Sequence, residues 1–127
     1  MRVLKNISEL KQKINFGIKF WLQFEGNSIL GKGWAQLLEY LDNNQITSLS
    51  QAAEKCNYSY KYAWNILKRI EKRTGMTPVI TSKGGTGGGG TVKLNDWGRF
   101  LLMVYKNMLE EIENLKIRLE QKIKKLY

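Results

Sequence analysis

Basic, amide and aromatic side chains interleave over residues 58–72 of this 127-residue chain. An asparagine such as Asn65 can pair bidentately with adenine, and a lysine such as Lys61 can donate to the acceptor atoms of guanine. Three basic residues further along the stretch suit phosphates better, namely Lys68, Arg69 and Lys72. The chemistry available here is therefore recognition of a nucleic acid by hydrogen bonds to bases and by charge.

The aromatic residues of this stretch leave two roles open. Tyr60 and the preceding Ser59 would lie at the start of a helix, where side chains can enter a major groove. Tyr62 is expected to pack on a neighbouring helix instead. For Trp64, packing and a contact with DNA are equally open.

Positive charge is in excess, with 21 Lys and Arg against 11 Asp and Glu and a net charge of +10. Residues 59–73 hold five basic residues and one acidic residue, the densest surplus in the chain. A solvated helix surface is the alternative explanation of such a segment. The net charge favours a polyanionic partner.

The remaining composition disfavours most enzyme chemistry. The chain has no histidine and a single cysteine, Cys56, so it has no internal disulfide and no zinc-ligand spacing. Glu39, Asp42 and Glu54 form no paired-carboxylate pattern, and no nucleophile–base pair stands out. We expect no enzymatic activity, no metal and no cofactor. No apolar run is long enough to cross a bilayer, so we expect no membrane association and a cytoplasmic protein, nucleoid-associated in a prokaryote.

Local signals predict the elements that position the basic stretch. Ser48 or Ser50 can cap a short helix over Ser50–Lys55, which Cys56-Asn57-Tyr58 interrupts. Ser59 then caps a helix over Tyr60–Thr74, and Gly75 ends it. Its core-facing residues are Ala63, Ile66, Leu67 and Ile70. Two helices joined by a tight turn predict a helix-turn-helix.

Two short strands, Pro78–Ser82 and Thr91–Leu94, follow on either side of the glycine-rich segment Gly84–Gly90. This arrangement predicts a hairpin that acts as a wing, in preference to a flexible linker without a role. Five residues are candidate contacts with the DNA backbone or minor groove: Lys83, Gly84, Gly85, Thr86 and Lys93.

The N-terminal part is expected to hold a helix over Asn6–Asn15, a strand over Phe16–Phe24 and a helix over Trp34–Leu41. The intervening Gly26–Gly33 has nearly the spacing of a phosphate-binding P-loop, but Gly33 replaces the Ser or Thr that would hold Mg²⁺. We therefore favour a strand-to-helix turn whose Lys32 can touch a phosphate.

A long helix after Asn95 or Asp96 is predicted to join two copies of the chain. Its apolar residues follow a near-heptad pattern, and the predicted dimer interface is Leu101, Tyr105, Met108, Ile112, Leu115 and Leu119. The expected fold is mainly α with a small β component. It comprises a winged helix-turn-helix domain over residues 1–96 and a coiled-coil-like dimerisation helix over residues 97–127.

Over about residues 16–105 the chain resembles the N-terminal winged-helix domain of ModE-type molybdate-dependent transcriptional regulators, and more distantly the LysR-type DNA-binding domain. The resemblance rests on five segments: Ile29–Gly33, Ser50–Glu54, Ser59–Glu71, Gly84–Gly90 and Val92–Gly98. It implies that a dimer binds operator DNA through the second helix and the wing. The residues that it implies for reading bases are Ser59, Tyr60, Lys61 and Asn65. The chain has no room for the family's oxyanion-binding domains, so molybdate sensing is not expected.

The sequence thus predicts a homodimeric, sequence-specific regulator of transcription that binds double-stranded DNA. The first alternative is an architectural protein that coats DNA with little sequence preference. The second is a module whose basic face is incidental and whose long helix binds a protein partner.

Overall fold

The computed structural model describes residues 6–83 and 90–126. In chain order, the elements within these ranges are α1 (Ile7–Leu10), a 3-10 turn (Lys11–Lys13), β1 (Leu22–Phe24), β2 (Asn27–Leu30), α2 (Lys32–Leu41), α3 (Leu49–Lys55), α4 (Tyr60–Thr74), β3 (Val79–Ser82), β4 (Thr91–Leu94) and α5 (Asp96–Lys125). The prediction of a mainly helical fold with a small β component is confirmed. The chain divides into two compact units, one over Phe20–Lys106 and one that combines residues of 1–19 with residues of 107–127.

The first hairpin differs from the predicted strand over Phe16–Phe24. Only Leu22–Phe24 is a strand, and it pairs antiparallel with β2, a strand that was not predicted. Glu25 and Gly26 both have positive φ, at 48° and 85°, as a tight hairpin turn requires. Strand β2 ends at Leu30, because Gly31 is already the N-cap of α2. Leu30 pairs with Leu22, so the alternating residues before Leu22 have no partner in β2.

Local capping explains where α3 begins. Ser48 accepts a hydrogen bond from the amide of Gln51, and the Gln51 side chain accepts one from the amide of Ser48 in return. This capping box starts the helix at Leu49, one residue before the predicted start. Ala52 and Ala53 are buried, as expected of small residues at a close helix contact.

The turn between α3 and α4 is as tight as predicted. Asn57 adopts a left-handed conformation with φ of 59°, which asparagine tolerates better than most residues, and the amide of Tyr58 donates to the carbonyl of Ala53. Ser59 then caps α4 by accepting from the amide of Tyr62. Gly75 ends α4 with φ of 85°, so the predicted bounds of this helix are confirmed.

Strands β3 and β4 form an antiparallel pair in which Val79 faces Leu94 and Ser82 faces Thr91. The amide of Val92 donates to the carbonyl of Thr47, which ties the pair to the segment before α3. Asn95 accepts from the amide of Gly98 and so caps α5. The predicted contacts Gly84, Gly85 and Thr86 lie outside the described residues.

The core of the unit Phe20–Lys106 is built mainly from leucines and isoleucines of α2, α3 and α4. Its fully buried side chains include Leu30, Leu37, Leu38, Leu41, Leu49, Ile66 and Ile70. The first turns of α5 complete it with Leu101, Leu102 and Tyr105, and the Tyr105 ring stacks on Phe20 at 4.6 Å. The helix α5 therefore serves first as a core element.

The other unit contains α1, which is shorter than the predicted helix over Asn6–Asn15. Asn6 caps α1, and the chain tightens into the 3-10 turn after Leu10. The Lys11 ammonium donates to the carbonyls of Lys124 and Leu126, at 2.9 Å and 3.4 Å. A cation at this end of α5 satisfies carbonyls that have no partner within the helix.

Candidate nucleic-acid interface

Four polar residues form a stripe along the exposed face of α4. The opposite face buries Ala63, Ile66, Leu67 and Ile70, which fixes the rotation of the helix about its axis. Successive spacings of four, three and four residues then put the stripe on the side away from the core: Lys61, Asn65, Lys68 and Lys72. We call these four residues the α4 stripe, and all of them are exposed.

The positive charge of the α4 stripe is not neutralised within the described part of the chain. The ion pairs there are Arg99 with Asp96, Lys106 with Glu39, and Lys116 with Glu113. None of them involves a residue of α4. The lysines of the stripe are therefore free to meet an external anion.

One flank of α4 faces the β3–β4 pair and carries Tyr60 and Trp64. These rings help to line a cleft of about 780 Å³ that also borders the start of α3 and the strands β3 and β4. The Lys68 ammonium lies 5.1 Å from the centre of the Trp64 ring, within the range of a cation–π contact. Trp64 is half-buried, so it packs on its neighbours and still reaches the cleft.

The other flank carries Tyr62, Arg69 and Arg73. Tyr62 meets Tyr58 of the preceding turn edge to face at 4.8 Å and is 41% exposed, so its ring packs in part on the turn, where packing on a neighbouring helix was expected. Arg73 donates to the carbonyl of Ser28 and its guanidinium lies 6.0 Å from the Trp34 ring centre. Arg73 is thus engaged within the protein, whereas Arg69 is exposed and borders a small surface cavity with Lys61 and Asn65.

Ser59 is the N-cap of α4, and its hydroxyl accepts from the amide of Tyr62 at 3.0 Å. This bond accounts for the presence of a serine at that position. The hydroxyl hydrogen of Ser59 can still be donated outward, since Ser59 is exposed. Lys32, the phosphate contact suggested for the strand-to-helix turn, is exposed in the first turn of α2.

The two lysines expected at the β3–β4 pair differ in their surroundings. Lys83 is exposed at the end of β3. Lys93 is half-buried, and its ammonium donates to the carbonyls of Asn43 and Ile46 at 2.6 Å and 2.5 Å. This geometry disfavours the predicted contact of Lys93 with DNA, because its donors tie β4 to the loop after α2. This role of Lys93 could not be predicted from the sequence, because it depends on contacts between distant parts of the chain.

The predicted dimer interface also changes. Leu101 and Tyr105 are buried in the core of their own chain, so they are unavailable to a partner. Met108 and Leu115 are 44% and 37% exposed, while Ile112 and Leu119 are half-buried. An interface on α5 would therefore begin near Met108.

The pKa values of two reactive side chains next to α4, Cys56 and Tyr58, are raised, which favours their neutral forms. Burial raises the pKa of the Cys56 thiol, which disfavours the thiolate that a nucleophile needs. Burial, with Cys56 and Tyr62 nearby, also raises the pKa of Tyr58. No His, Cys, Asp or Glu cluster suited to a metal ion occurs in the described ranges.

Residues 6–83 and 90–126 contain no helix that combines the length and the apolar character needed to cross a membrane.

Comparison with known proteins adds no family assignment. No protein-family model matches the chain, and no curated protein matches its sequence. The resemblance to ModE-type regulators stays a prediction that depends on the sequence segments given above.

Proposed function

We propose that this protein is a sequence-specific double-stranded DNA-binding regulator of transcription that acts as a homodimer. The observation that carries the proposal is the α4 stripe, in which three unneutralised lysines surround one exposed asparagine on a single helix face. An α-helix fits the major groove of B-DNA, and asparagine and lysine are suited to its adenine and guanine edges.

The elements around α4 support a winged helix-turn-helix. The short helix α3, the three-residue turn over 56–58 and the capped helix α4 occur in the order that this motif requires. The antiparallel β3–β4 pair follows α4 and supplies the strands of a wing. In this assignment α4 is the recognition helix, and Lys83 contacts the DNA backbone.

Residues along α4 divide into two roles. Lys61 and Asn65 lie in the first half of the helix and would read base edges, with Tyr60 and Ser59 beside them. Lys68, Arg69 and Lys72 lie further along and would hold phosphates. Phosphate contacts release counterions from the duplex, so binding must weaken as salt concentration rises.

We predict that Asn65→Ala relaxes sequence preference, whereas Lys68→Ala weakens binding to all duplexes by a similar factor. Loss of a bidentate base contact removes about 1–3 kcal/mol of discrimination at one base pair. The measurement is the dissociation constant for selected and random duplexes at graded salt, after selection of bound sequences from a random pool.

Lys106→Ala is the matched control, because it also removes one positive charge but lies on α5 in an ion pair with Glu39. We expect it to leave both affinity and preference nearly unchanged. Equal effects of Asn65→Ala and Lys68→Ala on every sequence would contradict the assigned roles. Absence of duplex binding near physiological salt, or binding that does not respond to salt, would contradict the function itself.

The alternative is an architectural protein that binds duplex DNA with little sequence preference. The same lysines would serve it, since phosphate contacts carry no sequence information. A ratio near one between the affinities for selected and random duplexes would favour this alternative.

A further inference from the structure

The cleft beside the α4 stripe is lined by groups that are not needed to recognise a duplex. It has a volume of about 780 Å³, within the usual range of small-ligand sites. Tyr60 and Trp64 form one wall of the cleft. The facing parts belong to the segment that starts α3 and to the strands β3 and β4.

The aromatic wall is arranged for stacking. Tyr60 and Trp64 are one helical turn apart, so their side chains project from the same flank of α4, separated by about 6 Å along the axis. Tyr60 is 58% exposed, although aromatic rings of this size are usually covered. Trp64 also borders a smaller cavity of about 170 Å³.

The rest of the cleft offers hydrogen-bond donors and positive charge. Five serine and threonine hydroxyl groups line it, from Ser48, Ser50, Thr81, Ser82 and Thr91. Lys83 lies at its edge, and Lys68 lies against the Trp64 ring. None of its lining residues in the described ranges is a carboxylate. Such a surface favours an anion that carries hydroxyl or ester oxygens.

We propose that this cleft binds an unpaired nucleotide of a single-stranded nucleic acid. The base stacks on Trp64 or Tyr60, and the sugar-phosphate backbone takes hydrogen bonds from the hydroxyls and charge from Lys83. Aromatic platforms beside a basic groove are the general means of binding single strands. Paired bases of a duplex keep their faces within the base stack, so stacking on this aromatic wall requires a base that has left it.

The test measures the dissociation constant of full-chain variants for a fluorescent oligothymidine of twelve nucleotides, by fluorescence anisotropy near 0.15 M salt. We expect Tyr60→Ala and Trp64→Leu each to raise Kd about tenfold, the change that follows from the loss of one stacked base. Tyr62→Ala is the matched control, because it removes the same side chain from the opposite flank of α4. We expect it to change Kd less than twofold.

Thermal unfolding of each variant ensures that a weakened complex reflects the cleft and not the fold. Since Tyr60 is largely exposed, its replacement keeps the test decisive if Trp64→Leu reduces stability. Equal Kd values for Tyr60→Ala, Tyr62→Ala and the unaltered protein would overturn the proposal. So would the absence of oligothymidine binding.

Two further measurements show whether the strand is DNA or RNA and whether the cleft acts independently of duplex binding. An oligouridine of the same length that binds with the same dependence on Tyr60 extends the site to RNA, and failure to bind limits it to DNA. Asn65→Ala should change duplex preference while leaving oligothymidine binding intact. If the unaltered protein binds oligothymidine but does not recognise a duplex, the result counts against the proposed function and not against the cleft.

Discussion

At the scale of single residues, the close approach of α5 to Pro78, the residue before β3, depends on a glycine. A Cβ atom on Gly98 would overlap the carbonyl oxygen of Pro78, and that oxygen also accepts from the amide of Asn95. Gly98 is buried in the first turn of α5. The position therefore excludes every side chain, because the atom that it would meet belongs to the backbone.

We predict that Gly98→Ala lowers the free energy of unfolding by about 1–3 kcal/mol, the usual cost of overpacking. The gain in helix propensity is smaller than this cost, because the carbonyl of Pro78 cannot move without disturbing the cap of α5. Denaturant titration followed by circular dichroism measures the change. Gly17→Ala is the control, since a Cβ there meets no atom within 4 Å, and we expect a change within about 0.5 kcal/mol.

At the scale of elements, what could be predicted from sequence follows from how local each signal is. The bounds of α4 depend on Ser59, Gly75 and an apolar period within one segment, so they were predictable. Strand β2 was missed because its four residues are defined by pairing with β1 and carry no alternating pattern of their own. These four residues also lie within Gly26–Gly33, for which a strand-to-helix turn was predicted.

The candidate site was predictable only to the same extent. Residue types and helical period identify the α4 stripe, because both are properties of one helix. The roles of Lys93, Arg73 and Tyr105 were not predictable, since their partners lie 45 or more residues away or in a separate element: Ile46, Ser28 and Phe20. The sequence alone does not show whether the ammonium of a lysine is free or is bound by carbonyl groups elsewhere in the chain.

Two lysines at the β3–β4 pair test the difference between a lysine that is bound within the protein and one that is free to contact DNA. We predict that Lys93→Met lowers the free energy of unfolding by about 1–3 kcal/mol, because the carbonyls of Asn43 and Ile46 lose a charged donor. The salt dependence of duplex binding should stay the same. Lys83→Met should do the opposite, with stability unchanged and the salt slope reduced by about one.

Denaturant titration and binding at graded salt measure the two quantities on the same pair of variants. Because both substitutions remove one positive charge, net charge cannot account for a difference between them. A reduced salt slope in Lys93→Met would show that its ammonium reaches phosphate in spite of its carbonyl partners. Unchanged stability of Lys93→Met would contradict its role in tying β4 to the loop after α2.

At the scale of the whole molecule, the net charge of +10 and the exposed apolar residues of α5 both support the proposal of a dimer that binds DNA. A single recognition helix contacts few base pairs, so a specific regulator commonly joins two of them. Dimers of helix-turn-helix proteins bind half-sites about one helical turn apart, near 34–36 Å. Met108 and Leu115 lie two helical turns apart on one face of α5 and are exposed, which suits a contact with a second copy.

We predict that the protein sediments as a dimer at micromolar concentration and that Met108→Gln combined with Leu115→Gln gives a monomer. Both positions are exposed in the single chain, so the loss of apolar contact should fall on the dimer and leave the fold intact. A duplex with two half-sites should bind the unaltered protein at least about 10²-fold more tightly than one half-site, since the second contact is intramolecular. The double variant should lose that difference.

Ile117→Gln is the matched control, because Ile117 is 54% exposed on the other side of α5 and its replacement should leave the dimer unchanged. A monomeric unaltered protein, or a double variant that still sediments as a dimer, would contradict this interface.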